Sequence, residues 1–131
     1  MTNAIIRKIA GCLIKDNKLL VVRKKGKEIY TSLGGRPEAG ETEEETLRRE
    51  VKEEIDCDVT ASAYVGTFEE KAVFDDAIVQ LVTYIIEVKG TPRITDSELE
   101  EFIWVTADEP RLADGLKKHI VPVLVQKGLL K

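Results

Sequence analysis

Seven glutamates lie between Glu41 and Glu54 of this 131-residue chain, on a stretch with the marks of one helix. Position divides them into two groups. Glu43, Glu44 and Glu45 fall in the first turn, where the helix dipole favours negative charge, and Glu44–Arg48 and Glu45–Arg49 are i,i+4 pairs in the favourable order. A solvated helix face accounts for those three. It does not account for Glu50, Glu53 and Glu54, which occupy the last turns, where the dipole opposes carboxylates. Glu50 and Glu54 are also a like-charge i,i+4 pair. At about 100° per residue, Glu54 projects roughly 60° from the centre of the Leu47, Val51, Ile55 stripe and leans toward the protein body. Two carboxylates about 5 Å apart repel by roughly 3 kcal/mol at an effective dielectric near 20, a cost that protonation or a cation relieves. A hard divalent ion relieves it best: Mg²⁺ takes oxygen ligands and is held by a few carboxylates, waters and substrate phosphates.

The rest of the composition narrows the metal and the setting. His119 is the only histidine, and Cys12 and Cys57 have no Cys-x-x-Cys spacing, so a zinc site is excluded and any metal has oxygen ligands. The two cysteines read as packed free thiols. A net charge of −4 disfavours a nucleic-acid groove. With 43% apolar and 34% charged residues the chain falls outside the disordered class, and its length fits one domain spanning 1–131. No apolar run approaches the ~20 residues of a membrane span, and Met1-Thr2-Asn3-Ala4 lacks a secretion-signal pattern, so a cytoplasmic protein without a membrane partner is expected.

The elements that must position the glutamates follow from patterning. Residues Ile5 to Ile14, the turn pair Asp16-Asn17 and Leu19 to Val22 read as a β-hairpin, followed by the basic loop Arg23 to Lys27. An extended piece near Tyr30 leads to Gly34-Gly35, where the missing Cβ lets the backbone approach a ligand or offer a carbonyl to a metal; an ordinary turn is the alternative. Thr42 with Glu45 is a capping box, and the apolar stripe carries the helix over Thr42 to Ile55. Strands are expected around Val59 to Thr67, Ile78 to Val88 and Phe102 to Val105, and a last helix at about Leu116 to Lys127. Pro122 fits that helix best if a regular turn starts close to it. A long segment such as Ile78 to Val88 is a candidate sheet edge for pairing with a second copy, so monomer and homodimer both stay open. The order of elements suggests a mixed α/β fold of α+β type, with helices covering a sheet.

Gly35-Arg36-Pro37-Glu38-Ala39-Gly40-Glu41, followed through Arg49-Glu50-Val51-Lys52-Glu53-Glu54-Ile55-Asp56-Cys57, resembles the Nudix box. The family pattern has glycine where Asp56 stands here. Asp tolerates the left-handed conformation of a helix end, so a modest stability cost and intact chemistry are expected. The flanking elements resemble the rest of the Nudix fold, an α/β/α sandwich around a mixed sheet. The resemblance implies hydrolysis of a nucleoside diphosphate linked to another moiety, with Mg²⁺ or Mn²⁺ as cofactor and a small nucleotide as partner. Carried over by position, Glu50 and Glu54 are metal ligands, Glu53 is a further ligand or acid/base group, and the Gly34 carbonyl is a backbone ligand. Arg49 orients a glutamate, while Gly35 and Glu41 support the loop before the helix. The small size suggests the nucleoside triphosphate branch; ADP-ribose and dinucleoside polyphosphates are alternatives.

Outside the box, Glu98, Glu100 and Glu101 are candidates for an additional carboxylate, Glu98 foremost, against the plain reading of an acidic loop. Arg23 and Arg36 are candidate phosphate contacts. Tyr30, Phe74, Tyr84 and Trp104 are of a type that stacks on a base, although aromatics in strands more often fill the core. Two other classes stay open: a module that holds a nucleotide without cleaving it, and a metal-binding domain with no substrate.

Overall fold

The computed structural model describes residues 4–72 and 76–131. Strands β1 (Ala4–Lys15) and β2 (Lys18–Lys24) are joined by Asp16 and Asn17, both at positive φ (53° and 60°), as a two-residue hairpin turn requires. Beyond the pairs Ile14–Leu19 and Lys15–Lys18 the hairpin splays. β1 runs parallel to β6 (Ala77–Lys89) from Ala4–Ala77 to Leu13–Ile86, whereas β2 pairs with β7 (Leu99–Val105) and β3 (Tyr30–Thr31). β4 (Leu33–Gly35) lies against β1 with Gly35 opposite Ile9. β5 (Asp58–Lys71) pairs antiparallel with β6 along its length.

The sheet order is β3-β2-β1-β6-β5, with β4 on β1 and β7 on β2. The strand expected as a candidate edge, Ile78 to Val88, therefore lies inside the sheet, between β1 and β5, and β5 occupies that edge. A segment apolar on both faces is explained by burial between two helical layers.

Alternation along β1 and β2 builds those layers. Ile9, Leu13, Leu20 and Val22 face α1 (Glu43–Ile55), whose Leu47, Val51 and Ile55 are fully buried against them. Ala10, Cys12, Leu19 and Val21 face the other way, onto Leu116, Ile120 and Leu124. Each fully buried aliphatic stabilises by about 1.5–3 kcal/mol relative to exposure. The result is an α/β/α sandwich, as expected. Cys12 and Cys57 are buried free thiols, and burial pushes the Cys12 thiol up to about 12.

α1 begins at its capping box: the Glu45 N–H donates to Thr42 Oγ1, and the Thr42 N–H to Glu45 Oε1. Asp56 closes it at φ 57°, ψ 41°, the left-handed conformation expected of it. The last helix departs from a single run. A π-helical segment (Leu116–Ile120) precedes α2 (Val121–Gln126), with Pro122 in the first turn of α2. Proline has no N–H for a continuous α-ladder, and the chain widens just before it, with the Val121 N–H reaching the Leu116 carbonyl. Among the described residues, no helix is long and apolar enough to cross a membrane.

Candidate active site

The box glutamates are positioned by contacts on both sides of α1. Arg49 is their hub. Its Nε and Nη2 donate to the two oxygens of Glu41 at 2.8 and 3.0 Å, a bidentate pair. Nη1 donates to Glu50 Oε1 at 2.7 Å and reaches Glu53 Oε2 at 3.5 Å, and Nη2 also donates to the Arg36 carbonyl at 3.0 Å. One guanidinium thus ties the glycine loop, the helix start and two glutamates together. The Arg49 hydrogen bonds hold the Glu41 carboxyl down at about 2, with the Glu38 backbone N–H adding to the effect.

The two glycines fit different neighbours. An added Cβ at Gly35 would lie 2.5 Å from the Glu50 carboxyl carbon, so the Glu50 carboxylate rests in the space the missing side chain leaves. At Gly34 the N–H donates to Glu54 Oε1 at 2.8 Å. That contact uses the amide, where the sequence directs attention to the carbonyl. Glu54 is only 7% exposed. Burial pushes its carboxyl up to about 8; Glu50 and Asp96 add to the shift, and the Gly34 N–H and Lys8 oppose it.

Glu50 and Glu54 open on one cavity of about 540 Å³, which Gly34, Gly35 and Arg36 also line. Glu53 stands apart: its side chain is 52% exposed and meets Arg49 at the outer edge. Glu98 lines the same cavity. It is carried there by a loop that caps α1, in which the Arg93 N–H donates to the Ile55 carbonyl and the Thr95 N–H to the Glu54 carbonyl. Asp96 of that loop accepts from the Glu98 N–H and also lines the cavity.

Other sequence candidates lie elsewhere. Arg23 is held by the Lys27 carbonyl and by Glu101, and the cavity lining does not include it. Glu101 is engaged by Arg23 and by the Tyr30 hydroxyl, and Glu100 is exposed. Tyr30 is buried in the core, Tyr84 donates to Glu43, and Trp104 lines a separate cavity beside Phe102. None of the three lines the main cavity. Phe74 lies outside the described residues.

Lys8, Asp96, Glu70 and Lys71 line the cavity and are missed by sequence reasoning. Lys8 on β1 enters the cavity and donates to the Ser32 carbonyl at 3.0 Å; burial lowers its pKa, and Glu54 opposes the shift. Its strand alternation was the one available signal, since it puts Lys8 on the inner face with Ala10 and Cys12. Asp96 had none, because its place depends on how the loop docks on α1.

The donor set fits a hard divalent ion. Every candidate ligand is an oxygen, two carboxylates share one wall of a cavity, and glycines leave room beside them. Among the described residues, no three acidic, histidine or cysteine side chains converge on one point.

A family model described as NUDIX domain matches residues 6–124. The ADP-ribose pyrophosphatase of Methanocaldococcus jannaschii is 31% identical over 85 residues, 63% of this chain and 50% of that protein. The chain thus spans about half the length of the curated relative it matches. A MutT NUDIX hydrolase from Burkholderia pseudomallei superposes with a TM-score of 0.75 at 16% identity, covering 93% of this chain and 96% of that one. A NUDIX hydrolase from Nitrosomonas europaea does so with a TM-score of 0.77 at 18% identity, over 99% and 92%. At such identities the likeness is one of fold. The match from 6 to 124 takes in the whole segment Gly35 to Cys57, and the chain belongs to the Nudix family.

Proposed function

We propose that this chain is a divalent-cation-dependent hydrolase of a phosphoric anhydride, acting on a nucleoside diphosphate linked to another group. The observation that carries the reading is the opening of Glu50 and Glu54 together onto one cavity beside Gly34 and Gly35. In this proposal Glu50, Glu54 and the Gly34 carbonyl hold Mg²⁺ or Mn²⁺, with Glu53 joining them or serving as base. When bound, the cation supplies Lewis acidity toward the anhydride and lowers the pKa of a coordinated water. Arg49 holds Glu50 and Glu53 in place, and Gly35 and Glu41 support that arrangement. Arg36 offers charge to a substrate phosphate, and Glu98 approaches from the capping loop. A water oxygen bonds to phosphorus, the anhydride P–O bond breaks, and the leaving phosphate keeps the electron pair. The water proton passes to Glu53 or Glu50.

The first substrate class is a nucleoside triphosphate or its deoxy form, cleaved to monophosphate and pyrophosphate. The name of the curated relative favours ADP-ribose as a second reading. Buried free thiols fit a reducing, cytoplasmic setting. A panel of nucleoside triphosphates, ADP-ribose and dinucleoside polyphosphates, assayed for released phosphate or pyrophosphate with and without Mg²⁺, tests the proposal. Cation-dependent cleavage of one class supports it. If no substrate is cleaved while one raises the melting temperature by mass action, a nucleotide-binding module takes its place.

A further inference from the structure

Neighbouring residues on a strand face opposite ways, and β1 separates two adjacent cations by that rule. Arg7 reaches Glu43 on the α1 side. Lys8 turns to the other side, into the main cavity. Its place along the cavity is fixed by register. Ile9, the next residue, lies opposite Gly35 of the glycine pair, and Lys8 itself lies beside Leu81. Two residues back on the same face, Ile6 lies beside Val79. Lys8 therefore stands between the glutamate end of the cavity and an end where the aliphatic side chains Ile6, Val79, Leu81 and Leu116 line it together with Glu70 and Lys71 of β5.

An ammonium carries three N–H donors. Among the described residues, the hydrogen bond of Lys8 goes to the Ser32 carbonyl, which fixes the head group and leaves two donors for the cavity. Placing a cation in such a pocket costs desolvation that an aliphatic side chain would avoid. An anion that straddles the glutamate and aliphatic ends offsets that cost.

We infer that Lys8 is a substrate contact that takes a non-bridging oxygen of the phosphate carrying the organic group, with Ile6, Val79, Leu81 and Leu116 as aliphatic walls for that group. This rests on the hydrolase reading and deepens it. The competing role is charge balance alone, with Lys8 serving Glu54 and Glu50 and never meeting substrate.

The test compares wild type with Lys8→Met and Lys8→Arg. Three quantities are measured: binding of inorganic pyrophosphate in the presence of Mg²⁺ by calorimetry, Mn²⁺ affinity without nucleotide by electron paramagnetic resonance, and KM and kcat on the best substrate. For Lys8→Met, pyrophosphate binding is expected to weaken and KM to rise by about 10- to 100-fold, with kcat within about threefold and Mn²⁺ affinity no weaker. Lys8→Arg is expected to recover most of the binding. Unchanged pyrophosphate binding and KM in Lys8→Met overturn the inference, as does a loss that follows weaker Mn²⁺ binding. If Lys8→Met does not fold, Lys8→Gln carries the same comparison. A wild-type protein that cleaves nothing refutes the hydrolase proposal, while the pyrophosphate comparison still decides the role of Lys8.

Discussion

A methyl group added at Gly34 would meet the Ile9 carbonyl oxygen at 1.8 Å, on a residue whose φ is 111°. Backbone must move to admit it, so Gly34→Ala is expected to destabilise the fold by about 2 kcal/mol or more. The same change at Gly35 meets the Glu50 carboxylate, the movable end of a side chain. Gly35→Ala is therefore expected to melt close to wild type and to lose about 10- to 100-fold in turnover through a displaced glutamate. Chemical denaturation beside a rate assay checks both, and equal effects of the two changes on stability would contradict the assignment. Glu41 gives a pH prediction. Its folded pKa is depressed to about 2 by Arg49, so its contribution to stability is present above the unfolded value near 4.5 and is lost as pH falls toward 2. The urea midpoint of Glu41→Gln should lie below wild type at pH 7, and the gap should close between about pH 4.5 and 2. A gap independent of pH would show that the Arg49 pair is not its source. At this scale the glutamates and glycines were legible because a fixed local spacing exposes them. Lys8 and Asp96 were not, since a lysine in a strand and an aspartate in a loop acquire meaning only from the elements packed around them.

The box helix was legible as an element from both ends. Thr42 and Glu45 supply its cap, Leu47, Val51 and Ile55 its buried stripe, and Asp56 its left-handed stop. Asp56 does more than tolerate that conformation, because Arg93 pairs with it at 2.8 Å and Lys52 at 3.4 Å. The pairing couples the helix end to the loop that brings Asp96 and Glu98 to the cavity. Asp56→Ala is expected to lower the urea midpoint, from left-handed strain plus the lost pairs. For Asp56→Gly a smaller drop is expected, since glycine takes that conformation freely. Urea unfolding of the two variants checks the order, and a glycine variant weaker than the alanine one would refute it. The last helix was less legible: its apolar residues gave one run of about the right extent, but that spacing carries no mark of the π-helical segment before Pro122. The extended piece near Tyr30 likewise resolves into β3 and β4, which pair with different strands.

At the scale of the molecule, the splayed hairpin is the feature on which the site depends. β1 leaves β2 to run beside β6, β4 fills in on β1, and the cavity is lined from both halves of the hairpin. The sandwich was legible in the order of elements, strands and a helix followed by strands and a helix, which calls for helices covering a sheet. The parallel pairing of β1 with β6 was not, since it joins residues more than 70 positions apart with no local signature. Hydrogen exchange should reflect the order of strands, with the slowest amides on β1 and β6 and faster ones on the outer side of β5. Uniform protection across β5 would indicate that its edge is covered, as in a dimer. The central claim is that the carboxylates of Glu50 and Glu54 together hold the cation that hydrolysis requires, and the most direct measurement is cation-dependent turnover of Glu54→Gln against wild type on the best substrate. The account predicts a folded protein whose turnover falls by about 10²-fold or more, because the change keeps the shape and removes the charge. A folded Glu54→Gln protein that turns over at the wild-type rate would contradict it.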